Sequence, residues 1–421
     1  LRPGPRNDPR DLRLVTVGQG VSLLGDAVTG LALPIVAVDL LGADSLGTGI
    51  LGAASTVAYL LLGLQAGAWA DRYPRRRLLL AADAVRAALL LAIPLLYALQ
   101  LLTLPLLVLI QAGLGTATVF FNVTWPAYLP RVARGATLVR MNGRLSVLGD
   151  GAGFVGPGLA GVLIAVANAP LALVADAASF VASFASLRAI RTVEPPAPRR
   201  RAGHRMVDDI RAGALAIWRR PTLRLITLEA ISGNVAFSIM IGQSVIYQRL
   251  DLGFGPALIG AISSIGFLGG AVGGFAAPHL LRRIGFGRLL LVATILFGLD
   301  EFVQPLASVA PSALAFPLVA ANFFFGGLFL ALWVVPVVSY RATVIPDALR
   351  GRAMGVIRLL TFGCGATAGY AAGGLIANAA GRPFALVLSA VMQLAVPIAA
   401  YGGARIWRLR TIAGAARADN A

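Results

Sequence analysis

The sequence predicts an all-α membrane protein: twelve transmembrane helices in two pseudo-symmetric six-helix bundles. Composition, run length and arginine placement carry this expectation. Of the 421 residues, 58% are hydrophobic and 13% are charged, against about 25% charged in a soluble domain. Mean hydropathy is +0.81. A single soluble core stops growing near ~250–300 residues, so the apolar surplus needs lipid as its solvent.

A bilayer core about 30 Å thick takes roughly 20 apolar residues per helix. Runs of that kind lie near 13–40, 46–70, 77–99, 104–125, 138–167, 170–189, 222–248, 256–281, 287–306, 313–338, 347–378 and 383–405. They are too long and too uniformly apolar for barrel strands, which are about 10 residues of alternating polarity. Backbone groups in lipid must bond within their own segment, so these runs read as helices. The Arg-rich start (Arg2, Arg6, Arg10, Arg13) runs straight into the first of them, with no sign of a cleavable leader.

All 36 basic residues are arginine, and the net charge is +18. With the N-terminus in the cytoplasm, 31 of the 36 fall on cytoplasmic segments and only Arg249 and Arg382 fall outside. Basic residues concentrate on the cytoplasmic side, so this asymmetry predicts a multi-pass protein of the cell membrane with both termini cytoplasmic. It also requires an even helix count.

The same composition excludes several functions. A nucleic-acid binder carries its basic residues on a polar face; here they sit in short gaps between apolar runs. A lone cysteine, Cys364, and two distant histidines, His204 and His279, offer no disulfide, metal site or nucleophile. Without lysine there is no phosphate-binding loop of the Gly-x4-Gly-Lys type. An enzyme is not expected, nor any metal or cofactor.

The longest polar stretch, about 188–221, contains Glu194-Pro-Pro-Ala-Pro-Arg-Arg-Arg201 and reads as a semi-rigid cytoplasmic linker. It divides the chain into an N-terminal bundle (1–187) and a C-terminal bundle with a tail (222–421). The halves echo each other. Met141 precedes Gly156-x4-Gly161 on the fifth helix, and Met354 precedes Gly369-x4-Gly374 on the eleventh, each 213 positions later. Gly63 and Gly67 end the second helix as Gly270 and Gly274 end the eighth. Six-helix halves related about the membrane normal are a known transporter arrangement.

Two local motifs sharpen this. Between helices 2 and 3 lies Gly67-Ala-Trp-Ala-Asp71-Arg72-Tyr-Pro-Arg75-Arg76-Arg77, a small residue for close packing, then an acid, then a basic cluster. On helix 5 lies Gly149-x-Gly151-x-Gly153-x-x-Gly156-Pro157-x3-Gly161. The chain resembles the major facilitator superfamily in the first motif, and its exporters in the second. With Ser22-Leu-Leu-Gly-Asp26, Trp218–Arg224 and Asp251–Gly260, it is similar to the branch that includes macrolide and enterobactin exporters. The resemblance implies that Asp71 latches the two halves near Arg350 and Arg352, with Arg72, Arg75 and Arg76 in the gating loop. Pro74 stands where the family has glycine. The helix 5 element, with Gly153, Gly156, Pro157 and Gly161, implies export, although simple small-residue packing explains the same residues.

In this fold helices 1, 4, 7 and 10 line the central cavity. Each carries polar or aromatic residues at helical spacing: Gln19, Ser22, Asp26; Gln111, Thr118, Asn122; Glu229, Gln243, Tyr247; and Asn322, Phe329, Trp333. Polar groups facing lipid cost several kcal/mol when unsatisfied, so these faces are expected to line a cavity or to bond between helices. Ionisable residues at membrane depth are functional candidates. Asp26 and Glu229 lie on predicted cavity faces and are the proton-coupling candidates; a permanently paired, structural role is the competing reading. Asp83 and Arg86, three apart, are expected to pair with each other. Asp300 and Glu301 have no assigned role. The expected function is proton-coupled export of a bulky amphiphilic small molecule by a monomer in contact with membrane lipid. A lipid transporter, a passive facilitator and a non-transporting receptor stay open.

Overall fold

A computed structural model describes residues 7–192, 194, 206–404 and 406–420, leaving aside the side chains of 64, 71, 206, 207, 400, 402–404, 418 and 420. The described chain is helical, with 12 helices long and apolar enough to cross a membrane. In the first half these are α1 (Pro9–Ile35, extended by a π-helical stretch, Val36–Leu40), α2 (Ser45–Arg72), α3 (Arg75–Ala98), α4 (Leu104–Val132), α5 (Gly135–Ala167) and α6 (Ala169–Ala189). A short helix, α7 (Met206–Trp218), follows. The second half holds α8 (Pro221–Ile246, extended by Tyr247–Asp251), α9 (Pro256–Ile284), α10 (Phe286–Glu301) with the one-turn α11 (Val303–Leu306), and α12 (Ser312–Val344). The next crossing is built from α13 (Asp347–Arg358), a π-helical stretch (Leu359–Ala366) and α14 (Thr367–Ala380). Then come α15 (Arg382–Ala404) and the tail helix α16 (Ile412–Asn420).

The helix ends follow from local chemistry. Proline lacks an N–H and suits a first helical turn, where that donor has no partner anyway; α1, α4, α6 and α8 each begin with one. The carboxylate of Asp8 accepts from Arg10 N at 2.9 Å and caps α1. The Asn168 side chain accepts from Leu171 N at 3.1 Å and caps α6. Between α9 and α10 the chain turns at a single residue, Gly285 at φ +89°, and between α14 and α15 at Gly381, φ +91°. Only glycine takes that conformation without strain.

The structure departs from the sequence reading around the bundles. The expected linker carries the 13-residue helix α7, and a further helix, α16, follows the last span. Both are short and amphipathic, below the length that run-counting for membrane spans detects. The arginines 75–77, expected in a loop, form the first turn of α3.

Two compact units are present. The first comprises Leu1–Ala43, Ala54–Gly203 and Gly255–Ser264; the second comprises Asp44–Ala53, His204–Phe254 and Ile265–Ala421. The opening turns of α2 thus belong with the second unit, and those of α9 with the first. The duplicated glycines account for both placements. A Cβ on Gly161 of α5 would stand 2.5 Å from Pro256 O, and one on Gly260 of α9 would stand 2.3 Å from Pro157 O. In the second unit, a Cβ on Gly374 of α14 would stand 2.9 Å from Ser45 O, and one on Gly49 of α2 would stand 2.6 Å from the Gly374 Cα. Gly161 and Gly374 do the same work in the two halves: they let helix backbones meet where a side chain would hold them apart.

Two apolar clusters hold the arginine-rich helix ends. In the first unit Leu79, Phe121, Tyr128, Met141 and Leu187 are buried together. In the second, Ile217, Leu223, Phe286, Tyr340, Ile357 and Tyr401 are. The tail is part of this second core. Phe286 N and Gly287 N donate to Arg410 O and Leu409 O at 3.1 and 2.8 Å. The Asp419 carboxylate accepts from Thr222 N and Leu223 N at 2.8 and 2.9 Å, and from the Tyr340 hydroxyl. An acid at a helix N-terminus satisfies orphan donors and meets the positive end of the dipole, so Asp419 caps α8 from across the bundle. Asp11 makes a different tie in the first unit. It accepts from Arg191 N at 3.0 Å, and from Thr192 N and the Thr192 hydroxyl at 2.8 and 2.6 Å, tying α1 to the exit of α6.

Candidate functional site

Glu229 sits on α8 and is 3% exposed. An unpaired carboxylate in so dry a place is costly. Three neutral donors from three other helices offset that cost: the Thr294 hydroxyl of α10 to Oε1 at 2.9 Å, Trp333 Nε1 of α12 to Oε2 at 2.8 Å, and the Tyr401 hydroxyl of α15 to Oε2. Hydrogen bonds to a charged group contribute about 1.5–3 kcal/mol each. The arrangement joins two residues that the sequence named separately, Glu229 and Trp333. It also recruits Thr294 and Tyr401, which were missed because they lie on helices outside the expected cavity set. Among the described residues no arginine bonds to Glu229; Arg341, one helix turn below Val337 on α12, is within electrostatic reach, and its Nε and one terminal nitrogen are buried without a partner.

In the first unit Asp26, Asp83 and Asp176 lie on α1, α3 and α6. Asp83 is fully buried, pairs with Arg86 as expected, and accepts from the Ser183 hydroxyl at 2.7 Å. The Arg86 guanidinium lies between the rings of Phe121 and Phe180, 4.3 and 4.1 Å from their centroids, so cation–π attraction adds to the ion pair. Asp176 of α6 is also fully buried; it accepts from the Thr29 hydroxyl of α1 and from the Ser179 hydroxyl at 2.8 Å. Gly25 makes this contact possible, because a Cβ there would stand 2.1 Å from Asp176 Oδ1. Asp26, the next residue along, has an exposed side chain and feels the charges of Arg86 and Asp83. The two coupling candidates therefore occupy opposite settings: Glu229 is enclosed by donors, and Asp26 is open.

The remaining candidates divide between open faces and packed interiors. Gln19 and Trp125 share a narrow crevice with Ser183 and Ser186. Ser22 is buried, and among the described residues its hydroxyl has no partner. Gln111 and Thr118 are half-buried, and the Asn122 amide donates to the Tyr59 hydroxyl at 3.0 Å. Gln243 is fully buried and donates to Ser45 O at 3.2 Å. Tyr247 is likewise buried, its hydroxyl donating to Gln304 O at 3.1 Å. Asn322 donates to Asp300 O and Oδ2 at 2.8 and 3.0 Å, which ties α12 to the acid that had no assigned role. Phe329 is half-buried and stacks on Phe325 at 5.9 Å.

The loop signature is held within its own unit. Arg75 pairs with Glu194 at 3.3 Å, and Arg76 N donates to the same carboxylate at 3.1 Å. The Arg76 side chain also bonds to Leu187 O and Arg188 O at 2.9 and 2.6 Å. This clasps the start of α3 to the exit of α6. Gly67 has open space where its Cβ would be, and Arg72 is exposed. The side chain of Asp71, the expected latch, lies outside the described residues. Arg350 pairs with Asp347 at 2.5 Å, and Arg352 with Asp209 of α7 at 2.8 Å. In the helix 5 element, Gly153 is half-buried, and Gly156 and Pro157 are buried; a Cβ on Gly156 would meet the Ala27 Cβ at 2.4 Å. These residues set the approach of α5 to α1 and to the start of α9.

Comparison with known proteins agrees with this architecture. Residues 15–315 match the sequence profile of the Major Facilitator Superfamily. The chain is 26% identical over 412 residues to the multidrug efflux pump Tap of Mycobacterium tuberculosis (strain ATCC 25618 / H37Rv), covering 94% of this chain and 93% of that protein. The multidrug efflux pump Tap of Mycolicibacterium fortuitum is 26% identical over 369 residues, 85% of this chain and 87% of the relative. Among solved structures, a bacterial homologue of the iron transporter ferroportin in an inward-facing state superposes with a TM-score of 0.76 at 15% identity, covering 94% of this chain and 99% of that one. The nucleoside transporter NupG gives 0.72 at 12% identity over 95% and 100%. The fold, the family profile and the full-length relatives agree: this chain is a multi-pass membrane transporter of the major facilitator superfamily, not an enzyme.

Proposed function

We propose that the chain is a secondary exporter of bulky amphiphilic small molecules, driven by proton antiport through alternating access. It acts as a monomer in the cell membrane with both termini cytoplasmic, and rocks its two six-helix halves past each other. Two full-length relatives bearing the name of a multidrug efflux pump support the export direction and the substrate class.

The observation that carries the coupling is the bond from Trp333 to Glu229. A carboxylate accepts only, whereas a protonated carboxyl must donate one hydrogen. Glu229 accepts three bonds; on taking up a proton it must donate one, either by reversing its bond with the Thr294 or Tyr401 hydroxyl or by displacing Trp333, which can only donate. Trp333 belongs to the predicted cavity wall, so a proton that displaces its indole changes the surface a substrate meets. Asp26, open and in reach of Arg86, takes the proton in the other half. Protonation from outside lowers substrate affinity and releases cargo; loss of the proton inside restores it.

The test is transport by purified protein in proteoliposomes, using a panel of amphiphilic drugs, siderophores and lysolipids, with and without an imposed proton gradient. Gradient-driven movement of at least one amphiphile supports the proposal. Movement that is indifferent to the gradient identifies a passive facilitator instead, and binding without movement identifies a receptor.

A further inference from the structure

The linker helix α7 has two unlike faces. One is docked: Gly213, Ala216 and Ile217 are buried, and a Cβ on Gly213 would stand 2.6 Å from Arg352 O. Asp209 pairs with Arg352 on the same side. The opposite face, at the spacing of successive helical turns, carries Arg211, Leu215 and Trp218, continued by Arg219 just past the helix end, all exposed, with Leu215 at 40% and Trp218 at 46%. Asp208 borders this face at its N-terminal end.

The level of the helix is fixed at two points. Its middle touches Arg352, five residues into α13, where the eleventh crossing begins. Its last residue, Trp218, is three residues before Pro221, where α8 begins. Three residues reach at most about 10 Å, so Trp218 lies close to where that helix enters the membrane. A short helix packed against the start of one crossing and followed at once by another sits at the level where both meet the membrane surface. An exposed tryptophan and leucine flanked by arginines is the side-chain set that suits the headgroup layer: the rings and aliphatic carbons reach the acyl boundary, and the guanidinium groups meet phosphates. The arginine asymmetry of the whole chain places this surface on the cytoplasmic side.

We propose that the outer face of α7 is an anionic-phospholipid contact, with Leu215 and Trp218 in the interface and Arg211 and Arg219 on lipid headgroups. The contact tethers the linker, and through Asp209 and Gly213 the start of the eleventh crossing, to the bilayer surface. It does not depend on what the protein transports.

The single cysteine makes the test direct. In a Cys364→Ser background, a nitroxide is placed at Leu215→Cys in full-length protein in nanodiscs containing phosphatidylglycerol and phosphatidylcholine. Its collision rates with oxygen, which partitions into lipid, and with a water-soluble nickel chelate are compared. Separately, lipid retained through purification is quantified for wild type and for Arg211→Gln/Arg219→Gln, which alters exposed groups outside the docked face. The proposal expects the nitroxide to favour oxygen over the chelate. It also expects the retained ratio of phosphatidylglycerol to phosphatidylcholine at this site to fall, by up to about fivefold per arginine removed. A nitroxide open to the chelate as in water, or a double variant with an unchanged lipid ratio, overturns it.

Discussion

Trp333 donates its indole hydrogen to Glu229 across 2.8 Å, joining a residue of the predicted cavity wall to a carboxyl buried in the second unit. In the proposed mechanism the bond gives substrate and proton a shared group. Trp333→Phe keeps an aromatic ring, though a smaller one, and removes the donor, leaving Tyr401 and Thr294 on the carboxylate. Loss of one bond to a charged group costs about 1.5–3 kcal/mol, so the variant should fold with a lowered melting temperature. Substrate binding should persist while its dependence on pH weakens; an unchanged pH dependence would detach Trp333 from coupling.

The Asp83–Arg86 pair tests the packing of the first unit. Breaking a buried pair from one side costs about 3–5 kcal/mol, because the remaining charge has no partner. Arg86→Met should therefore lower thermal stability strongly. Arg86→Met with Asp83→Asn should recover most of that loss, since no uncompensated charge is left. Melting of the purified variants in detergent decides it.

Glycine positions separate by what surrounds them. Gly161→Ala and Gly374→Ala each bring a methyl against a carbonyl oxygen, Pro256 O and Ser45 O, and should depress both stability and transport. Gly67→Ala enters open space, so its melting temperature should match wild type. Should all three behave alike, close helix approach is not what the duplicated glycines supply.

The tail carries a cap as well as a terminus. Asp419→Ala removes the acceptor for Thr222 N and Leu223 N, and a lost N-terminal cap costs about 0.5–2 kcal/mol. Hydrogen exchange at the first turn of α8 should quicken in this variant. Unchanged protection there would mean that Asp419 is incidental to α8.

Much of this fold was legible because lipid constrains sequence so strongly. Twelve apolar runs and the repeat of Gly161 at Gly374 are one-dimensional signals, and each has a direct counterpart in the helices. The elements that went unread are the ones lipid does not dictate. Helices α7 and α16 are short and amphipathic, and their docking depends on Gly213 meeting Arg352 and on Asp419 meeting Thr222, partners 139 and 197 residues apart along the chain. The candidate site was half legible. Helical spacing put Glu229 and Trp333 on polar or aromatic faces, but no period links them to Tyr401 or Thr294, nor Thr29 to Asp176. Those contacts arise from how helices are packed side by side, and a single chain's pattern is silent on that. The same spacing marked Gln243 and Tyr247, which are fully buried here and bonded to Ser45 O and Gln304 O; a polar face marks an inward direction, not what fills it.

In the proposed mechanism Asp26 and Glu229 exchange protons for substrate. Its most direct test is paired flux in proteoliposomes under an imposed pH gradient, with substrate and proton movement recorded together. Wild type should move substrate against proton flow, while Asp26→Asn and Glu229→Gln each still bind substrate yet show no gradient-driven movement of either. Wild-type coupled flux in both variants would contradict the account.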